Sequence, residues 1–141
     1  MKEDVAKVRT FALISHGGAG KTSLAEAMLF DAGVTTRLGK VDEGASTMDF
    51  EPEEIKRKAT ISTAFNSLDW KKHQLNIIDA PGDFNFIADA KTSLQGADSA
   101  VILVDAIDGV RVQTEKMWEF ANDFELPRMV FVGKMDRERA D

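Results

Sequence analysis

The run Ser15-His16-Gly17-Gly18-Ala19-Gly20-Lys21-Thr22 constrains this chain more than any other stretch. It joins Val8 to Ile14, which reads as a strand, to a helical pattern from about Thr22 to Ala32. In that pattern Leu24, Ala25, Met28, Leu29 and Ala32 form one apolar stripe, with Gly33 as a stop. A glycine-rich turn between strand and helix lets backbone N–H groups point inward, and the helix N-terminus adds partial positive charge. That is the setting of a phosphate-binding loop. In this reading Lys21 reaches the β and γ phosphates of a nucleotide, and the Thr22 hydroxyl holds Mg²⁺. Ser15 stands where the general pattern has glycine, so the match rests on Gly20-Lys21-Thr22 and its context.

Strands and helices alternate through the rest of the chain, which predicts an α/β fold with a mostly parallel sheet covered on both faces. Val34 to Ala59 is the exception: it is polar and without periodicity, and so long a loop in a compact domain is usually functional. Within it Glu51 to Lys58 predicts a short helix with Pro52 in its first turn and the pairs Glu53/Arg57 and Glu54/Lys58. Thr60 to Trp70 and Gln74 to Asp79 read as a hairpin joined across Lys71-Lys72-His73. Phe86, Ile87, Ala90 and Leu94 mark a helix, Ser99 to Asp105 a buried strand, Met117, Trp118, Ala121 and Phe124 another helix, and Arg128 to Gly133 a last strand.

Composition narrows the function classes. With 141 residues, 43% of them hydrophobic, the chain suits one core, and the absence of cysteine excludes disulfides, thiolate metal sites and a cysteine nucleophile. A net charge of −6 argues against non-specific DNA binding. The apolar runs Phe11 to Ile14 and Ala100 to Val104 are far too short to span a membrane. No DNA, no membrane and a reducing cytoplasm are the expectations.

Two further motifs extend the phosphate loop. Asp79-Ala80-Pro81-Gly82 follows the apolar Leu75 to Ile78, so its acid lies at a strand's carboxyl end, where it can hold Mg²⁺ through water while Gly82 offers a backbone N–H to the γ-phosphate. Lys134-Met135-Asp136 follows the last strand. The Asp136 carboxylate can accept from the N1–H and exocyclic amine of guanine, which adenine does not present, and Lys134 can lay its stem along the base.

In series, the phosphate loop, the polar loop ending in Lys58-Ala59-Thr60, Asp-x-Pro-Gly and Lys-x-Asp resemble the GTP-binding domain of translational GTPases, most of all elongation factor G. A class II peptide release factor is the nearest competitor. Gly44 to Phe50, Asn76 to Gly82, Asp105 to Thr114 and Phe131 to Arg137 carry the similarity. The resemblance implies a P-loop NTPase of the Ras-like G-domain type, a three-layer sheet with one antiparallel edge strand, that binds GTP and GDP with Mg²⁺. Ser15 to Thr22, Asp79 to Asp83 and Gly133 to Asp136 would bind nucleotide, with Thr22, Thr60 and Asp79 placing the metal. Lys21, Thr60, Gly82 and Asp83 would serve hydrolysis. Thr60 would hold Mg²⁺ and the γ-phosphate only in the GTP state, releasing Val34 to Ala59 afterwards. The ribosome would be the partner, reached through the full-length protein and its remaining domains, and the work a conformational switch in translation elongation. Without hydrolysis the same domain would be a regulatory ribosome-binding module.

Departures from the family pattern sharpen the expectations. Asp83 stands where the family has a histidine that orients the attacking water, and a carboxylate there opposes the charge of the transition state, which predicts slow turnover. Gly133 replaces an asparagine, weakening guanine binding by roughly 1–3 kcal/mol and making an ATPase or nucleotide-promiscuous domain conceivable. Gly18 replaces a frequent aspartate, and His16 reads as structural. Because such domains continue with another strand and helix, residues 1–141 are expected to be the N-terminal part of a GTP-binding domain, cut before the fifth nucleotide-binding motif and prone to associate through an uncovered last strand.

Overall fold

The computed structural model of this chain describes residues 4–49 and 51–140, the side chain of Asp42 excepted; Phe50, which closes the segment Gly44 to Phe50, lies outside them, as do residues 1–3 and Asp141. Among the described residues the strands are β1 (Val8–Ile14), β2 (Ala64–Trp70), β3 (His73–Asp79), β4 (Ser99–Asp105) and β5 (Arg128–Gly133). The α-helices are α1 (Lys21–Asp31), α2 (Pro52–Arg57), α3 (Ile87–Leu94) and α4 (Val112–Asp123). The sheet runs β2-β3-β1-β4-β5, with β1 parallel to β3 and β4, β4 parallel to β5, and β2 antiparallel to β3. This is the three-layer α/β sheet with one antiparallel edge strand that the alternation and the resemblance predict.

The strand period of two sorts the core into two halves. Ala12, Ile14, Ile78, Ala100 and Ile102 pack against Ala90 and Leu94 of α3 and Met117, Phe120 and Ala121 of α4. Leu13, Ile77, Val101 and Leu103 meet Ala25 and Leu29 of α1, together with Met48 from the long polar loop. Burial on both faces explains why β4 is a continuous apolar run. Edge strand β5 exposes Met129, Val130, Phe131 and Val132.

Three local expectations are corrected. Thr60 does not open a strand, because β2 begins at Ala64 and the amides of Ile61 and Ser62 donate to Glu54 rather than to a sheet neighbour. Glu54 consequently does not pair with Lys58: it is buried, its carboxylate also reaching back to the Glu51 amide in a capping box, while Lys58 turns away at φ 53°. The exposed neighbour pair Glu53–Arg57 does form, at 2.7 Å. The hairpin turn is Lys71-Lys72 alone, both at positive φ as a two-residue turn requires, and His73 already belongs to β3.

Candidate functional site

In open α/β sheets ligands bind beyond the carboxyl ends of the strands, where the strand order reverses. Here β1 lies between β3 and β4, so the loops after β1, β3 and β4 converge, and the loop after β5 joins them. A cleft of about 870 Å³ opens there, walled by Gly17 to Thr22, Thr60, Gly82, Asp83, Gly133, Lys134 and Asp136. Five basic side chains line it: Lys21, Lys40, Lys58, Lys134 and Arg137. A larger groove of about 960 Å³ against β2, β3 and α3 has one charged wall residue, Asp89, and none of the basic side chains that line the cleft. Ser15, His16, Asp79, Ala80 and Pro81 are buried behind the cleft wall, and Met135 is exposed outside it.

The phosphate loop takes the conformation its glycines permit. Gly18 and Gly20 sit at φ 81° and 100°, in the left-handed region, and α1 starts immediately afterwards with no side chain capping its first amides. Those amides and the helix dipole form a ready anion site. Lys21 is buried and donates to the His16 carbonyl at 3.0 Å. Burial lowers its pKa, against the pull of the Asp79 and Asp49 carboxylates. Gly82 presses on the loop: a Cβ built there would stand 2.4 Å from Lys21 Nζ and 2.6 Å from Gly17 N.

Beside α1 lies a cluster of oxygens. Thr22 donates to Asp79 at 2.6 Å, Thr60 donates to Asp49 at 2.8 Å, and the two hydroxyl oxygens are 3.0 Å apart. Each hydroxyl has one proton and gives it to a carboxylate, which leaves two lone-pair oxygens facing each other. Asp49 Oδ2 and Asp79 Oδ1 are buried with no partner. An all-oxygen donor set suits a hard cation, and adjacent ligands of an octahedral Mg²⁺ at 2.0–2.1 Å are themselves about 3.0 Å apart. The residues fit the metal. Asp49, which belongs to none of the sequence motifs given a role, lies beside Thr22, Thr60 and Asp79.

Burial pushes the Asp79 carboxyl up to about 7, only partly opposed by Lys21 and the Thr22 hydroxyl. Its folded-state value thus lies above the ordinary carboxylate range, so the native state holds the proton more firmly than the unfolded chain does. The associated stability is full below about pH 4 and lost as the pH rises to 7. In metal-free urea unfolding, Asp79→Asn, which does not titrate, should gain on the parent by roughly 2–4 kcal/mol between those limits. A difference independent of pH would show that Asp79 is not held in this way.

The base side is tied to the phosphate side. Lys134, at φ 59°, donates to the Gly18 carbonyl at 2.7 Å and to Asp105 at 2.5 Å. Burial would raise the Asp105 carboxyl, but Lys134 and the amides of Ile107 and Asp108 outweigh it and hold it at about 2. Asp136 is exposed at the rim, its nearest cation Arg137 at 3.9 Å. Asp83 spends its carboxylate on the next turn, accepting from the Asn85 amide at 2.8 Å and the Asn85 side chain at 2.9 Å. His16 is buried with Nδ1 at 2.9 Å from Thr114 Oγ1, and burial, Arg111 and Lys21 lower its pKa.

Comparison with known proteins places this geometry in context. The family described as the elongation factor Tu GTP binding domain matches residues 6–141. Ribosome-releasing factor 2, mitochondrial, of Candida albicans is 44% identical over 135 residues, 96% of this chain and 17% of that protein. A crystal structure of a Thermus thermophilus protein matches with a TM-score of 0.90 at 41% identity, covering 93% of this chain and 20% of that one. The bacterial selenocysteine-specific elongation factor matches with a TM-score of 0.76 at 28% identity, covering 92% and 20%. This chain therefore spans about a fifth of the length of these relatives.

Proposed function

This chain belongs to the family of the elongation factor Tu GTP binding domain, and on that premise we propose that it binds GTP and GDP with Mg²⁺ and hydrolyses GTP slowly as a conformational switch in translation. The observation that carries this reading is the pair of threonine hydroxyls, both protons committed, beside two unpartnered buried carboxylate oxygens and an uncapped helix start. In the proposed roles Lys21 and the loop amides hold the β and γ phosphates. Thr22 and Thr60 supply hydroxyl oxygens to the metal, Asp79 and Asp49 orient them from behind, and Gly82 brings an N–H to the γ-phosphate. Bound Mg²⁺ would neutralise charge developing on the phosphate oxygens. Asp136 selects guanine.

Calorimetric titration of GTP, GDP and ATP side by side tests the reading. GTP and GDP should bind with a strict Mg²⁺ requirement for GTP, and ATP should bind much more weakly. Equal affinity for ATP would remove Asp136 from its role and favour a nucleotide-promiscuous domain. A second reading, a switch with negligible hydrolysis, draws support from Asp83, whose carboxylate caps a turn instead of facing the cleft with a donor. We place the partner at the ribosome, engaged by the whole protein, and the site of action in the cytoplasm. Release of ribosomes, the activity in the Candida relative's name, is an alternative step to elongation. Among the described residues no helix is long and apolar enough to cross a membrane.

Gly133→Asn should tighten GDP binding. A Cβ there meets only ordinary contacts, Phe131 Cε1 at 3.8 Å and the Ala19 carbonyl at 3.9 Å, so the backbone has room for a side chain to start beside the phosphate loop, where an asparagine amide would donate. One or two recovered hydrogen bonds amount to about 1–3 kcal/mol, roughly five- to 150-fold in Kd. An unchanged Kd would mean the base does not lie against residue 133.

A further inference from the structure

Glu26 is fully buried in α1, does not line the cleft, and is used by nothing in the proposed chemistry. Its Oε1 accepts from Ser46 Oγ at 2.8 Å, from the Met48 amide at 3.0 Å and from the Thr47 amide. Ser46 Oγ in turn accepts from the Met48 and Asp49 amides at 3.1 and 3.0 Å. Oε2 is buried without a partner and faces Gly39, where a Cβ would stand 2.1 Å from it. Residues 39–49 are thus a strap drawn onto α1 around one carboxylate, with Met48 sunk in the core beside it. Thr22 and Glu26 are one helical turn apart on the same face, so α1 grips the long loop twice: Thr22 touches Thr60, and Glu26 gathers residues 46–48.

We propose that Glu26 is the positioning residue of this strap, holding residues 46–48 so that the adjoining Asp49, and through it Thr60, reach the metal side of the cleft. Burial of a carboxylate is costly unless it is satisfied, and here three donors, all from the strap, satisfy one oxygen. Release of the strap strands Glu26, and loss of Glu26 strands the donors. The two are therefore coupled. The role of Asp49 and Thr60 toward Mg²⁺ rests on the function proposed above; the grip on the strap does not.

The test compares the parent chain with Glu26→Ala, Glu26→Gln, Gly39→Ala and the Glu26→Ala/Gly39→Ala double variant. Two readouts are independent of nucleotide: amide hydrogen exchange at Thr47, Met48 and Asp49, and trypsin cleavage after Arg37 and Lys40, both exposed. A third is the Mg²⁺ concentration giving half-maximal binding of a non-hydrolysable GTP analogue. Glu26→Ala and Gly39→Ala should each raise exchange, cleavage and the Mg²⁺ requirement by about tenfold, while GDP affinity stays within about twofold. Glutamine keeps an oxygen acceptor and should restore most of the loss. Adding Gly39→Ala to Glu26→Ala should cost far less than Gly39→Ala costs alone, because the carboxylate it collides with is gone and only the Ala45 carbonyl, at 3.1 Å, has to give way slightly.

Parent-like exchange and cleavage in Glu26→Ala overturns the proposal, as does glutamine behaving like alanine. If Glu26→Ala fails to fold, Gly39→Ala leaves α1 intact and decides the same question. Should the parent bind no GTP analogue, the functional reading fails, while exchange and cleavage still decide the grip.

Discussion

Gly82→Ala should cost roughly a hundredfold in affinity for a GTP analogue while leaving the fold intact. The added methyl would stand 2.4 Å from Lys21 Nζ, 2.6 Å from Gly17 N and 2.6 Å from His16 C, so only the lysine tip can yield and the loop backbone must move with it. Lys21 is wedged, buried, between that point and the His16 carbonyl. Displacing a charged donor and forcing the loop open together cost about 3 kcal/mol, or two powers of ten. Isothermal titration beside a thermal melt reads both quantities. Binding within about threefold of the parent, with an unchanged melt, would show that Gly82 does not adjoin the phosphate site.

The second large effect is a gain. Asp83→His should raise GTP turnover on ribosomes by about a hundredfold, the lower end of what a positioned general acid or base contributes. In the parent, Asp83 offers no proton donor, and its carboxylate is held by the Asn85 amide and side chain. Histidine gives up that cap, at about 1 kcal/mol of local stability, and gains a ring nitrogen able to orient water. Single-turnover hydrolysis with and without ribosomes measures the change. Brisk ribosome-dependent hydrolysis by the parent would sink this account of Asp83.

The strand and helix series was legible because each element carries its own period: Ala12, Leu13 and Ile14 alternate between the two core halves as strand geometry requires, and Ala25 and Leu29 recur one turn apart. The phosphate loop was legible for the same local reason, since glycines followed by Lys-Thr at a strand-to-helix junction have one obvious use. Apart from the hairpin turn, where His73 already belongs to the strand, what the sequence misplaced lies in 34–63. Glu54 looked like half of a surface pair with Lys58, yet it is buried as an acceptor for Ile61 and Ser62. Local spacing says which residues share a helix face and says nothing about amides arriving from the following segment. Asp49 and Glu26 escaped notice because their partners, Thr60 and residues 46–48, are distant in sequence and join them only when the loop folds back.

The amino-acid sequence by itself therefore determined the α/β class, the order of strands along the chain, the phosphate loop and the family resemblance, all of which rest on periodicity and on short contiguous motifs. The tertiary structure alone decided which oxygens meet. Thr22 and Thr60 approach to 3.0 Å with Asp79 and Asp49 behind them, and Glu26 binds a strap some twenty residues further on. Such meetings depend on where an aperiodic loop closes, and that is set by buried polar groups that must find partners across the fold.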